Sequence, residues 1–129
     1  MNVKPYLLAL VMLIVSPAWA DWTLVSETTE GTKFYTDFST IRKEGNLRKL
    51  WEVTNFSSPR SFSSGVFLSS RTRVEYDCKE ERVRNLAFTA HPLLFAEGAI
   101  LWATESPSNW QYAPPNTPAF EILQRVCRY

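Results

Sequence analysis

The stretch Ser69-Ser70-Arg71-Thr72-Arg73-Val74-Glu75-Tyr76-Asp77-Cys78 alternates with a period of two. Ser70, Thr72, Val74, Tyr76 and Cys78 fall on one side and Ser69, Arg71, Arg73, Glu75 and Asp77 on the other, because successive side chains of an extended chain leave from opposite faces. Such a segment is a strand with one dry and one wet face. Weaker strand patterns flank it at 22–26, 33–37, 47–56, 83–91 and 99–104, all rich in aromatic or β-branched residues. Turn chemistry separates them: Glu30-Gly31, Gly45-Asn46, Ser57-Ser58-Pro59, Lys79-Glu80-Glu81 and Glu97-Gly98. These connections are short, whereas a parallel return needs a dozen or more residues, so the six strands are expected to form one antiparallel sheet. Residues 39–43 are expected to make a single helical turn ending at Gly45.

The C-terminus changes period. Ala119, Ile122, Leu123, Val126 and Cys127 follow the spacing of a helical stripe, with Thr117 as N-cap and Pro118 as first helical residue. Glu121 lies early and Arg125 and Arg128 late, the favourable order for the helix dipole. The fold class is therefore α+β: a single six-stranded antiparallel sheet packed with a C-terminal helix. Cys127 falls on the buried stripe and Cys78 at the end of the dry-faced strand, so a disulfide between them would staple helix to sheet. In the loop-entropy picture a closure of this size stabilises by about 4 kcal/mol.

The chain has 129 residues, 14 Lys+Arg, 13 Asp+Glu, one His and two Cys, the size of one globular domain. Nearly balanced charge without a like-charge block gives no sign of a nucleic-acid or anionic-membrane partner, so no nucleic acid is expected and any electrostatic preference must come from local patches. So few His and Cys do not suit a four-ligand zinc site, and four glycines do not build a phosphate-cradling loop, so no metal and no cofactor is expected. Residues 1–20 carry the pattern of a secretory leader: Lys4, an apolar run from Tyr6 to Val15, and Ala18-Trp19-Ala20 for cleavage. A run of this length rises about 15 Å as a helix, roughly half the hydrocarbon thickness, which speaks against a membrane anchor. The domain then spans 21–129, with no transmembrane segment after cleavage and no cysteine placed for lipid attachment. Export would place it in the periplasm, at the cell surface or outside the cell, where Cys78 and Cys127 meet an oxidising environment.

Several residues invite a chemical role. Glu75 and Asp77 leave one face of a strand about 7 Å apart, within the range of inverting glycoside hydrolases. Arg71 and Arg73 share that face, so a self-neutralising row of solvated charge is the simpler account. His91, the single histidine, lacks a nucleophile-elbow pattern around any serine. No catalytic residue is expected, and an acid-base hydrolase is the weakest of three readings. Arg82 and Arg84 share parity with Leu86, Phe88 and Ala90. With Cys78 opposite Arg82, Arg84 would lie over Tyr76, or both arginines could form a basic lip that holds a carboxylate or sulfate of a partner. Phe34, Phe38, Phe56, Phe88 and Phe120 suit a core, but Trp51, Trp102, Trp110, Tyr112 and Phe62 exceed what one short helix covers on a sheet about 24 to 29 Å wide. Sheet curl, the Pro-rich connection 106–115, or a second molecule must cover the remainder. The candidate binding residues are thus Arg71, Arg73, Arg82, Arg84, Trp51 and Trp102, with a loop at 56–65 also available to a partner.

The ordered landmarks resemble the bacterial surface-adhesin protein E family. They are Trp22 to Ser26, Phe34-Tyr35-Thr36-Asp37, Ile41-Arg42 with Gly45-Asn46, the strand around Trp51, Ser70-Arg71 leading to Asp77-Cys78, and Trp110 ahead of a helix ending in Val126-Cys127. The resemblance covers nearly all of residues 21–129 and implies a six-stranded antiparallel sheet, a C-terminal helix and the same cysteine closure. It also implies a non-enzymatic exported protein that binds another protein, with host matrix proteins as the partner class. The alternative function is a periplasmic structural envelope protein that self-associates through aromatic surface as a homodimer.

Overall fold

The computed structural model describes residues 20–63 and 65–129; residues 1–19, which carry most of the leader pattern, lie outside the described residues. The alternating segments become β1 (Thr23–Glu27), β2 (Lys33–Glu44), β3 (Leu47–Phe62), β4 (Gly65–Asp77) and β5 (Arg82–His91), each antiparallel to the next. The free edge of β5 is shared by β6 (Trp102–Thr104) and by β7 (Gln111–Tyr112), a short strand that the sequence did not reveal. Helix α1 (Pro118–Val126) closes the chain. The Pro-rich connection runs along the same edge: Ser108 N–H donates to the Asn85 carbonyl and Ala113 N–H to the Glu81 carbonyl.

Residues 39–43 are strand, not a helical turn. A two-residue turn at Gly45-Asn46 sets Glu44 opposite Leu47, Lys43 opposite Arg48 and Arg42 opposite Lys49, so the hairpin ladder captures this segment. Gly45 occupies φ +58, a conformation that turn demands and a side chain resists. Residues 38–41 then face only Leu50, a wide bulge. It is held by the Asp37 carboxylate, which accepts from Ser39 N–H, and by Thr40 Oγ1, which accepts from Trp51 N–H.

The β4–β5 register also differs from expectation by one residue. Asp77, not Cys78, faces Arg82, which sets Glu75 opposite Arg84 and Tyr76 opposite Val83. Asp77 Oδ1 accepts the backbone N–H groups of Lys79 and Glu80 at 3.1 and 3.2 Å, so the turn closes on the aspartate. A one-residue slip exchanges faces. Arg82 and Arg84 therefore leave the side of Tyr76 and join Glu75 and Asp77. Beyond Asn85 a bulge at Leu86 reverses parity again, so that Phe88 and Ala90 face Thr72 and Ser70 on the helix side.

The helix forms as its sequence dictates: Thr117 Oγ1 accepts from Phe120 N–H, Pro118 opens the first turn, and Cys127 caps the last. Ile122, Leu123 and Val126 are buried against Leu50, Val74, Tyr76 and Ala113. Each contributes about 1.5 to 3 kcal/mol of transfer free energy. Cys78 and Cys127 form the disulfide. Arg48, itself buried, donates to the carbonyls of Gly45, Leu47 and Tyr129 and fixes the C-terminus on the β2–β3 turn. Because α1 lies over β1, β2 and the Leu50, Val74 and Tyr76 side chains, the farther part of β3–β5, around Thr54, Ser70, Thr72 and Phe88, stays open.

On the opposite face a single 3-10 turn (Leu94–Ala96) crosses β3, β4 and β5. Asn55 Oδ1 accepts from Phe95 N–H, Ser69 Oγ accepts from Ala96 N–H, and Tyr35 packs on Phe95 with ring centroids 4.9 Å apart. Val53, Asn55, Ser69 and His91 are buried on this face. At its other end Trp110 lies under Arg82 and Arg84. Between these two covers runs an uncovered strip.

Candidate functional site

Three neighbouring strands build that strip. Arg42, on β2, faces Lys49 on β3, which faces Glu75 on β4; one step along, Trp51 faces Arg73, and one further Val53 faces Arg71. Directly paired residues share a face, so Arg42, Lys49, Trp51, Arg71 and Arg73 stand together. A cleft of about 550 Å³ lies among residues 39–42 of β2, 49–51 of β3 and Arg73, and a recess of about 280 Å³ continues past Arg42 and Lys49. The bulge at 38–41 makes room for it by lifting β2 away from the plain ladder.

The carboxylates here are not the solvated row that alternation suggests. Glu75 is 1% exposed and Asp77 6%. Glu75 Oε1 accepts from Arg84 Nε at 2.8 Å and lies 2.7 Å from its Nη2, while Oε2 is 3.6 Å from Lys49 Nζ. Asp77 Oδ2 is 3.0 Å from Arg82 Nε. Burial pushes the Asp77 carboxyl up, but the N–H groups of Glu80 and Lys79 and the Arg82 guanidinium outweigh it and hold the group below the usual carboxylate range. Buried carboxylates of this kind persist because each is paired and hydrogen-bonded.

The cations divide into two groups. Arg82 and Arg84 are engaged twice, by Asp77 and Glu75 at their edges and by the Trp110 ring at 4.6 and 4.5 Å. Their partner ring is Trp110, not Tyr76. Arg42, Arg71 and Arg73, by contrast, have no carboxylate within 4.0 Å among the described residues. The Arg71 guanidinium lies over the Trp51 ring, 4.3 Å from its centroid, a contact worth about 0.5 to 1 kcal/mol at an exposed site that consumes none of the guanidinium N–H donors. The strip thus carries uncompensated positive charge beside a half-buried indole.

Of the six binding candidates from the sequence, Trp51, Arg71 and Arg73 come together. Arg82 and Arg84 share their face, occupied by internal partners. Trp102 pairs with Ala90 and lies on the helix side, its ring 5.4 Å from Phe88. Sequence reasoning missed Arg42 and Lys49. Lys49 could have been found from its shared parity with Trp51; Arg42 was hidden by the helical-turn reading of 39–43. His91 is buried, with Nε2 bonded to Thr89 Oγ1 at 2.7 Å and Nδ1 unpartnered. Glu75 and Asp77, each held by cations, are poorly placed to move protons.

Together the sheet, the stapled helix and the engaged carboxylates define a disulfide-closed α+β domain with one open, charged and aromatic sheet face. The chain belongs to the surface-adhesin protein E family, whose sequence pattern matches residues 22–128. Crystal form II of Haemophilus influenzae protein E has a similar fold, with TM-score 0.66 and 12% identity over 85% of this chain and 89% of that one. Protein E from non-typeable Haemophilus influenzae is similar at TM-score 0.61 and 12% identity, covering 85% and 77%. Identities this low speak for the fold alone. No curated protein matches the chain. The family is one of surface adhesins, and no helix among the described residues is long and apolar enough to cross a membrane.

Proposed function

We propose that the protein is an exported, non-enzymatic adhesin-like module that holds an acidic segment of a partner protein on the strip of Arg42, Arg71, Arg73 and Trp51. The observation that carries this reading is the division of the cations: Glu75 and Asp77 already have their arginines, the buried Asp37 is held by the Ser39 N–H, and Arg42, Arg71 and Arg73 are left without a carboxylate among the described residues. Guanidinium groups beside an indole suit a carboxylate-bearing segment with an apolar neighbour. By the family, matrix proteins are the partner class to try first. Binding to an immobilised basement-membrane extract, read by surface plasmon resonance, is expected to fall at least about tenfold when Arg71→Glu and Arg73→Glu are combined, since reversing charge at a contact costs more than 1.4 kcal/mol. Unchanged binding by a folded double variant refutes the reading. Cell fractionation separates a surface position, which the adhesive role requires, from a periplasmic one.

One observation favours a second reading, self-association as a homodimer in the envelope. Ring contacts run from Phe62 to Phe67, Phe88 and Trp102, and Trp102 is 51% exposed at the end of this row. Light scattering decides it: a dimer that Trp102→Ala converts to monomer supports self-association, and a monomeric parent removes it.

A further inference from the structure

The other face of the sheet holds a second cleft, of about 320 Å³, between α1 and the open part of β3–β5. Phe34, Phe56 and Phe88 form walls, and Ala119 and Ile122 close it from the helix. Its floor is polar. Thr54, Ser70 and Thr72 are cross-strand neighbours on this face, and none of the three side chains makes a hydrogen bond within the protein among the described residues. Ser70, only 3% exposed, lines the cleft, and on β2 the buried Thr36 Oγ1, opposite Glu52, has no hydrogen-bond partner. Hydroxyls that line a cleft without protein partners are free to bond ligand atoms or water.

Glu52 stands beside this row, opposite Thr72 on β4 and Thr36 on β2, and accepts the phenolic hydrogen of Tyr76. Facing it are also Val83 and Asn85 of β5 and Ala119 and Ile122 of α1. Tyr76 is the only other titratable group among these, and it too is shifted upward. Glu121 on the helix is exposed, and Arg125 lies over Phe38 at 4.8 Å. The cleft therefore contains one carboxyl and no cation to balance it.

We propose that this cleft binds a small amphipathic amine, its ammonium held by Glu52 with the Ser70 and Thr72 hydroxyls and its apolar part held between the phenylalanine walls. An ammonium brings three donors and no acceptor, which matches a carboxylate beside unfilled hydroxyls. Aromatic walls favour a cation over an anion of the same shape. A carboxylic acid would meet Glu52 with like charge, and a neutral alcohol would leave the carboxylate uncompensated. Burial, opposed by the Tyr76 hydrogen bond, raises the Glu52 carboxyl to about 7. An alkylammonium must therefore displace a proton to bind at acid pH and need not do so at alkaline pH.

The probe is 2-phenylethylamine, titrated into the purified disulfide-intact protein by calorimetry and by NMR amide shifts, with 2-phenylethanol as the neutral control. With Glu52 at about 7, amine affinity is expected to be about thirtyfold weaker at about pH 5.5 than at about pH 8.5, the alkylammonium staying charged throughout. Glu52→Gln should weaken the amine at least tenfold at the higher pH, abolish the pH dependence and leave the alcohol unchanged. Ala119→Phe, which fills the cleft from the helix side, should abolish both. Shifts should centre on Ser70 to Val74 and the helix, not on Trp51. Absence of amine binding, equal affinity for amine and alcohol, or a pH dependence that survives in Glu52→Gln overturns the proposal. The parent's own pH profile keeps the test decisive if a variant does not fold.

Discussion

Reducing the disulfide tests how the helix is held. Cys78 and Cys127 are 49 residues apart and join the end of β4 to the end of α1. Closing a loop of that length removes about 14 cal/mol/K from the unfolded chain, or about 4 kcal/mol at 25 °C. A domain of this size unfolds with an entropy of about 230 cal/mol/K, so the loss corresponds to a melting point about 17 °C lower. Ile122, Leu123 and Val126 still bury their side chains after reduction, so the reduced chain should remain folded at room temperature with the helix more weakly docked. Scanning calorimetry of the oxidised protein, the reduced protein and Cys78→Ser is the assay. Hydrogen exchange should show the amides of α1 opening first in the last two samples. If both melt within about 3 °C of the oxidised parent, the tie contributes little and the stapling argument fails.

Glu75→Gln leaves Arg84 and Lys49 without their buried acid. The loss should be about 2 to 3 kcal/mol in urea unfolding, below the usual range for a broken buried pair because Arg84 keeps Trp110 and is a third exposed. Glu52 has the opposite pH signature from a salt-bridged acid. Its folded value of about 7 exceeds the unfolded 4.5, so the native state binds more protons between them; its contribution is full below about pH 4.5 and is lost as pH rises through 7. Glu52→Gln should flatten that limb of the stability profile and exceed the parent's stability at about pH 8 by up to about 3 kcal/mol. Gly98→Ala meets both φ +82 and a Pro92 Cγ only 2.8 Å from the new methyl, and should cost about 1 to 3 kcal/mol and loosen the 3-10 turn, visible as faster exchange at Phe95 and Ala96.

The sheet and the helix were legible because their signals are periodic and local. Ser70 to Tyr76 alternates without interruption, and Thr117-Pro118 starts a helix by capping chemistry that needs no tertiary partner. What could not be read were the places where one extra residue changes face. The β4–β5 turn closes on Asp77 through a side-chain contact to two backbone amides, and the bulge at Leu86 then reverses parity. Together they move Arg82 and Arg84 to the outer face while keeping Phe88 and Ala90 inside, a conflict that uniform alternation cannot resolve. Residues 39–43 misled for a related reason: their local preference yields to the ladder that Gly45-Asn46 imposes. At the site, Trp51, Arg71 and Arg73 were visible from parity within their strands. Arg42 depended on the β2 bulge, and the buried state of Glu75 on Arg84 arriving from a strand whose register was off by one.

As proposed, Arg42, Arg71, Arg73 and Trp51 form an anion-accepting face with unspent charge. Fluorescence anisotropy of a labelled decaglutamate peptide, titrated with the protein at several salt concentrations, addresses it directly. Saturable binding that weakens with salt and falls at least about tenfold in the Arg71→Glu, Arg73→Glu double variant, but not in Arg82→Gln, is the predicted result. Equal binding by the parent and the double variant contradicts the account.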